Sequence, residues 1–263
     1  MSDSASSARG AGLSLRALEG IGEVLPGQSI EDVLIEALER NRITLAKHDV
    51  VAVCQKVVSK SEGRYVDLAS VEPGTKALEL AAKCGKDPRY VEVVLRESTG
   101  VVRCVKDVLI VRHRLGFVVA NAAIDQSNIE WGEQRVLLLP EDPDRSASRL
   151  REGIAKRLGT DVAVIITDSF GRAWRMGVCG VCVGCAGMIP LGDQRGQPDR
   201  FGRALRITQV AIADQIASAA TLVMGEGSEG LPIVIVSGVT SKAFEGTAPA
   251  SALIRPARED LFS

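Results

Sequence analysis

The unbroken apolar run Val162-Ala163-Val164-Ile165-Ile166, stopped by Thr167-Asp168-Ser169, restricts this chain more than any other stretch. Five consecutive apolar, mostly β-branched residues show no alternation, so the run reads as a strand buried on both faces. Its end sets the Asp168 carboxylate at the close of the strand. Gly171 is expected to let the chain turn away, and Arg172 and Arg175 follow with Trp174 between them. One strand end therefore offers an acid, two hydroxyls and two guanidiniums, the mixture that a metal-bound phosphate or a polyacid requires. An ordinary strand exit with Asp168 as a helix cap stays open beside that reading.

The 263 residues are 46% hydrophobic with ordinary charge density, enough for a packed α/β core of mixed α+β type. A net charge of -1 and 3% aromatics argue against nucleic acid as a partner and favour a small-molecule enzyme. No apolar run approaches the roughly 18 to 20 residues that span a bilayer, and the N-terminus lacks a hydrophobic signal core, so the expectation is a cytoplasmic protein without a membrane partner. Cys179, Cys182 and Cys185 have a spacing found in zinc and iron-sulfur sites. They lie among Val, Gly and Ala with no fourth Cys or His nearby, and are read as small buried packing residues. A metal or redox sensor built on them is the alternative from another functional class.

Residues 1–12 are Ser, Ala and Gly and are expected to form a disordered tail. The fold should start near Leu13 with a short strand that enters the glycine-bearing loop Gly20-Ile21-Gly22-Glu23. Ser29 with Asp32 resembles a weakened capping box, and Ile30, Val33, Leu34, Ala37 and Leu38 then share one helical face. A buried strand from Asp49 runs into Gln55, Lys56, Ser59 and Lys60, where the two lysines are either phosphate ligands or solvated loop charges. Two helices are expected over residues 73–84 and 87–98, the second capped by Asp87. A hairpin over residues 108–120 then delivers a second acid, Asp125, with Asn128 three residues on. Neither His48 nor His113 has such a setting, which argues against a histidine-based hydrolase or a zinc enzyme.

A helix carrying Ala147, Leu150, Ile154 and Leu158, closed by Gly159, should lead into the opening strand. Residues 190–202 read as a polar loop, a candidate substrate lid. Residues 208–224 read as an Ala-rich helix, and Met224-Gly225-Glu226-Gly227-Ser228-Glu229-Gly230-Leu231 then forms a glycine-spaced loop with a third acid and free backbone NH groups for phosphates. Residues 241–263 are expected to be a peripheral tail.

The segments QKVVSKSEGR, KDPRYVEVVLRES, GFVVANAAIDQSN, LLLPEDPD, IITDSFGRAWR and LRITQVAIADQIASAATLVMG, with the EG loop after them, together resemble the coenzyme F420-0:gamma-glutamyl ligase family, also called coenzyme F420:L-glutamate ligase. The resemblance runs from about Leu15 to Gly238. It implies one ligase domain over residues 13–240, with an unusual fold that is neither P-loop nor Rossmann, in a cytoplasmic homodimer. It further implies an enzyme that adds L-glutamate in gamma-glutamyl amide linkage to the phospholactyl tail of coenzyme F420-0, with GTP as cosubstrate, two Mg2+ or Mn2+ ions per site, and K+ as a further cation.

Carried over residue by residue, the resemblance makes Asp125 and Asp168 ligands of one metal, and Ser169 and Glu226 ligands of the other. GTP contacts fall on Ile21, Gly22, Glu23 and Val24, on Gln55, Lys56 and Lys60, on Asn128, and on residues 224–231. Ser169 replaces a commoner Thr and keeps the hydroxyl, whereas Gly20-Ile21-Gly22-Glu23 replaces a more apolar loop. From charge and position, Lys60, Arg172 and Arg175 are candidates to neutralise phosphate or an acidic tail. The chain holds no G-x-x-x-x-G-K-[ST] sequence, so any GTP use is not P-loop chemistry. A two-metal phosphatase or kinase with similar carboxylates is the alternative within the same chemistry.

Overall fold

The computed structural model describes residues 12–130 and 134–259. The rest of the expected N-terminal tail, residues 1–11, and the last four residues of the C-terminal one lie outside that description. The chain opens with strand β1 (Ser14–Ala17) and helix α1 (Ile30–Asn41), whose cap Ser29 accepts the Asp32 N–H at 3.2 Å. Strand β2 (Val50–Cys54) passes without a loop into helix α2 (Gln55–Ser61). Strand β3 (Tyr65–Asp67) leads to helices α3 (Thr75–Cys84) and α4 (Pro88–Arg96), the latter capped by Asp87. Strands β4 (Ser98–Val105), β5 (Val108–His113) and β6 (Val118–Ala120) form an antiparallel meander that includes the expected hairpin. Strand β7 (Arg135–Leu137) pairs with β3, and helix α5 (Pro143–Leu158) follows. Then come the long strands β8 (Ala163–Arg172) and β9 (Arg175–Ala186), the short pair β10 (Leu191–Asp193) and β11 (Gln209–Ala211), helix α6 (Ile212–Met224) and strand β12 (Ile233–Ser237).

The main sheet has the order β1-β12-β2-β8-β9, with β2 and β8 parallel and the other neighbours antiparallel. Alternate residues of its centre face two different cores, which is why the sequence there is apolar without a break. Val51, Val53, Val164 and Ile166 pack with Leu34, Leu38, Leu150 and Ile154 of α1 and α5. Val50, Ala52, Ala163 and Ile165 pack with Ala213, Ile216, Ala217 and Ala220 of α6. A third core joins α3 and α4 to the meander through Val91, Val94, Leu109 and Val111. The segment after β12, expected to be peripheral, sends Ala243 and Ala250 into the α6 core and stacks Phe244 on His48 at 4.5 Å.

Several expectations need correction. The central strand does not stop at Thr167: β8 continues through Asp168 to Arg172 because β9 supplies a pairing partner along that whole length. The turn falls after Gly171, with Trp174 at φ +62°. Residues 55–61 are helix rather than loop, and Lys60 on that helix is buried. The segment read as a loop from residue 190 begins with β10, whose partner β11 takes the first residues assigned to the Ala-rich helix. Leu158 ends α5 on its exposed side. β10 and β11 pair residues 16 to 20 positions apart in the chain, and β8 is polar enough past Thr167 that apolar pattern alone does not mark it as strand there.

β9 is an edge strand, and its outward N–H groups are covered by helix starts. Cys182 N–H donates to Asp214 at 2.9 Å, and Cys185 N–H to Asp144 at 2.8 Å. The register shifts between Ile166 and Thr167, where β9 holds one extra residue, Val183. Cys182 and Cys185 are buried within the α6 core, and Cys179 is half-buried. Replacing all three by Ala or Val should therefore cost little ligand binding or catalysis. Metal analysis of purified protein checks this: stoichiometric zinc or iron, lost in the triple variant, would restore the sensor reading.

Candidate functional site

A cavity of about 480 Å³ opens where β2 ends and its parallel pairing with β8 stops, beside the last paired residues Cys54 and Thr167. Ligands gather at the carboxyl ends of parallel strands because the loops there diverge and leave a crevice. Five segments far apart in sequence meet at this one. The loop after β1 contributes Ile21, Gly22 and Val24; the first turns of α2 contribute Lys56, Val57 and Lys60. The turn after β6 contributes Asp125, Ser127 and Asn128, and β8 contributes Thr167, Asp168 and Ser169. The fifth wall is Met224, at the end of α6, with the loop from Gly225 through Glu226, Gly227, Ser228, Glu229 and Gly230 to Leu231 and Pro232.

Asp125 is delivered by an unusual backbone. Asn121, Ala122 and Ala123 lie consecutively at φ between +52° and +54°, a left-handed turn made without glycine. Each such residue costs roughly 1–2 kcal/mol in steric strain, which the surrounding packing of Ala122 must offset. Ala123→Gly should accordingly stabilise the fold by roughly 1 kcal/mol, measurable in urea unfolding. Asp125 then pairs its backbone with Leu137 across an isolated bridge, which fixes the carboxylate over the cavity.

Both oxygens of that carboxylate are engaged. Lys56 Nζ lies 3.0 Å from Oδ1, and Gln55 Nε2 donates to Oδ2. Gln55 is fully buried behind the wall, and its own carbonyl accepts the Ser59 hydroxyl at 2.8 Å. Asp168 is half-buried and accepts the Ser169 N–H at 2.8 Å. Burial pushes the Asp168 carboxyl well above the usual carboxylate range, and the charge of Asp125 adds to the effect. Asp125 is raised for the same first reason, although Lys56 and Gln55 work against it. Burial opposes the charge on Lys56, yet the attraction of Asp125 outweighs it and leaves the ammonium's pKa raised. The pair of acids is thus short of positive charge.

The second acidic element is Glu226, which accepts the Ser169 hydroxyl at 2.6 Å. Asn128, at φ +56°, donates to the Gly227 carbonyl at 3.0 Å and ties this loop to the turn carrying Asp125. Gly225 has φ +76° and no room for a side chain against the Glu229 carboxylate, which itself accepts the Gly227 N–H at 2.8 Å. Glu23 stands outside the cavity lining and reaches Lys60 Nζ at 2.5 Å. Arg172 and Arg175 are exposed on the β8–β9 hairpin, outside the cavity.

The oxygen donors facing the cavity are carboxylates and hydroxyls, with no imidazole beside them, which is the chemistry of hard divalent cations such as Mg2+ or Mn2+. Among the described residues, no three His, Cys, Asp or Glu side chains stand close enough together to hold an ion unaided. Each acid is instead satisfied by the protein's own ammonium, amide or hydroxyl. Sequence reasoning missed Cys54, Val57, Ser127, Val178, Thr221 and Pro232 of the lining. Thr167 lines the cavity as one of the two hydroxyls expected at the strand end, whereas Cys54 and Val178 enter only through strand pairing. Burial pushes the Cys54 thiol up to about 11, so it is no nucleophile at neutral pH.

A profile of the family described as F420-0:Gamma-glutamyl ligase matches residues 20–238. The chain is 46% identical to the coenzyme F420:L-glutamate ligase of Methanopyrus kandleri, over 91% of this chain and 93% of that one. It is 39% identical to the protein of the same name from Methanothermobacter thermautotrophicus, over 95% and 99%. With the one from Archaeoglobus fulgidus the identity is 40%, over 84% and 86%. All five walls of the cavity fall within the matched residues.

Proposed function

Since this chain belongs to the F420-0:gamma-glutamyl ligase family, we propose that it joins L-glutamate through a gamma-glutamyl amide bond to the phospholactyl tail of coenzyme F420-0, with GTP as the phosphoryl donor. The observation that carries this reading is the meeting of Asp125, Asp168 and Glu226 with Lys56, Lys60 and a glycine-spaced loop in one cavity. Carboxylate and amine do not condense unaided in water, so the carboxylate is first activated by the gamma-phosphoryl group, giving an acyl phosphate with a good leaving group. Two Mg2+ or Mn2+ ions would supply charge neutralisation on the phosphates when bound.

Asp125 and Asp168 would hold one ion, and Ser169 with Glu226 the other. A divalent ion held by only two protein groups takes its remaining ligands from phosphate and water, as Mg2+ commonly does. Lys60, buried beside the cavity, meets phosphate charge, with Ile21, Gly22, Val24 and Val57 as the less polar end of the nucleotide site. Arg172 and Arg175 are left to meet the acidic tail of the coenzyme. K+ belongs to this reading as a further cation, and the cytoplasm as the compartment. Among the described residues no helix is long and apolar enough to cross a membrane.

The test is incubation with coenzyme F420-0, L-glutamate, GTP and Mn2+, with a mass gain of one glutamyl residue expected. Oxygen-18 placed in the coenzyme's carboxylate should emerge in the released phosphate, and the protein itself should stay unlabelled. GTP hydrolysis of equal rate without the coenzyme would favour the phosphatase reading instead. The proposed homodimer draws support from Trp174 and Met176 on the β8–β9 hairpin, 88% and 96% exposed, and from Phe201 and Ile207. Trp174→Ser with Met176→Asp should shift the mass measured by light scattering to that of one chain.

A further inference from the structure

We propose that Lys56 is a resident cation that holds the place of a divalent metal at Asp125, so that metal and nucleotide bind as a coupled pair. This rests on the metal-and-nucleotide reading above and adds to it a residue that controls the order of assembly. The Lys56 ammonium sits 3.0 Å from Asp125 Oδ1, and the Gln55 amide takes the other oxygen. A metal arriving at that carboxylate meets a positive charge already seated on it.

The same arrangement recurs around the cavity with the signs exchanged. Lys60, suited to phosphate, is held by the protein's own Glu23 at 2.5 Å. The Gly227 N–H, also suited to phosphate, is held by Glu229 at 2.8 Å. Each internal pair keeps a group from being desolvated without a partner. Around the cavity, one ammonium thus sits on a carboxylate suited to metal, and carboxylates sit on groups suited to phosphate.

Two like charges cannot share one carboxylate cheaply in a half-buried site, so metal must dislodge Lys56. The ammonium rides on a flexible four-carbon stem and swings readily. With nucleotide present it has a phosphate to meet; without nucleotide it has only the carboxylate it is leaving. Nucleotide therefore tightens metal, and by linkage metal tightens nucleotide by the same factor.

The experiment measures Mn2+ binding to the full chain from the electron paramagnetic resonance of the free ion, with and without GDP. In the wild type, GDP should tighten Mn2+ by roughly tenfold or more. Lys56→Met should bind Mn2+ alone roughly tenfold tighter, with GDP then adding less than about twofold. Lys56→Arg keeps the charge and should retain the wild-type pattern, and Lys56→Gln replaces the Met variant if circular dichroism shows that one unfolded. Lys156→Met removes the same charge from the exposed face of α5, outside the cavity, and should leave Mn2+ binding without GDP within about twofold of the wild type, as expected for a charge not seated on a metal ligand.

Equal tightening in Lys56→Met and Lys156→Met would reduce the effect to net charge and overturn the proposal. Unchanged Mn2+ affinity in Lys56→Met, alongside intact Mn2+ binding by the wild type, would overturn it while leaving the function above untouched. Failure of the wild type to bind Mn2+, with or without GDP, would bring down the metal reading and this inference with it.

Discussion

Asp125→Asn and Asp168→Asn should each reduce glutamate ligation by roughly 10²–10³-fold or more, the scale on which enzymes lose rate when a group stabilising developing charge is removed. The substitution keeps side-chain volume and removes the negative charge that the proposed metal requires. The two variants should differ in stability, because their environments differ. Burial and the nearby Asp125 raise the Asp168 carboxyl, so the folded chain holds that proton more tightly than the unfolded chain does. The ionised form therefore weighs against folding, and the weight grows as pH rises from the usual carboxylate range through the raised value.

In metal-free buffer at neutral pH, Asp168→Asn should melt at or above the wild-type temperature, the advantage disappearing in acid. Asp125→Asn should melt below Asp168→Asn, since relief of its buried charge is offset by leaving Lys56 without its ion-pair partner. Activity of either variant close to wild type at saturating Mn2+ would refute the assignment of these residues as metal ligands. A fall in melting temperature of Asp168→Asn at neutral pH would show that its charge is already compensated in the free protein.

The second large effect lies in β9. Gly184→Val should destabilise the fold by roughly 3 kcal/mol or more, at the upper end of what overpacking costs. A side chain there would place its first carbon 2.5 Å from the Pro143 carbonyl oxygen, which is backbone and cannot swing aside. Pro143 opens α5, and the next residue, Asp144, accepts N–H groups from Cys185 and Ala250, so the helix start cannot retreat without breaking those bonds. Against a total stability of about 5–15 kcal/mol, a loss of that size leaves a marginal protein. Gly171→Val is the control: the position is exposed and has nothing within 4 Å of the added carbon. A β-branched residue there should be neutral or mildly stabilising. Urea unfolding of both variants decides the matter, and equal behaviour would disprove the close-packing account. Because Gly184 pairs with Ile166, two residues before Asp168, unfolding at this seam would also unseat the cavity wall.

What could be read from the chain alone was whatever its local chemistry dictates. The run Val162 to Ile166 had to be a strand covered on both sides, since five apolar residues without alternation have no face for water. The caps Ser29 and Asp87 and the closing residue Gly159 bear directly on helix ends, so two helices began, and a third ended, close to where their sequences place them. The acids Asp125, Asp168 and Glu226 stood out because each breaks from an apolar segment into a polar one. Their meeting in a single cavity was expected only through resemblance, and the tertiary structure is what brings Asp125, Asp168, Lys56 and the 225–231 loop together.

The length of β8 past Thr167, the seating of Lys56 on Asp125 and of Lys60 on Glu23, and the exclusion of Arg172 and Arg175 from the cavity were decided in three dimensions. The physical reason is the range of the forces involved. Helix capping and hydrophobic periodicity act over a few residues and leave a local mark, whereas the polar contacts of the cavity join residues such as Lys60 and Glu23, 37 positions apart, and Gln55 and Asp125, 70 apart, whose separation carries no record of the contact.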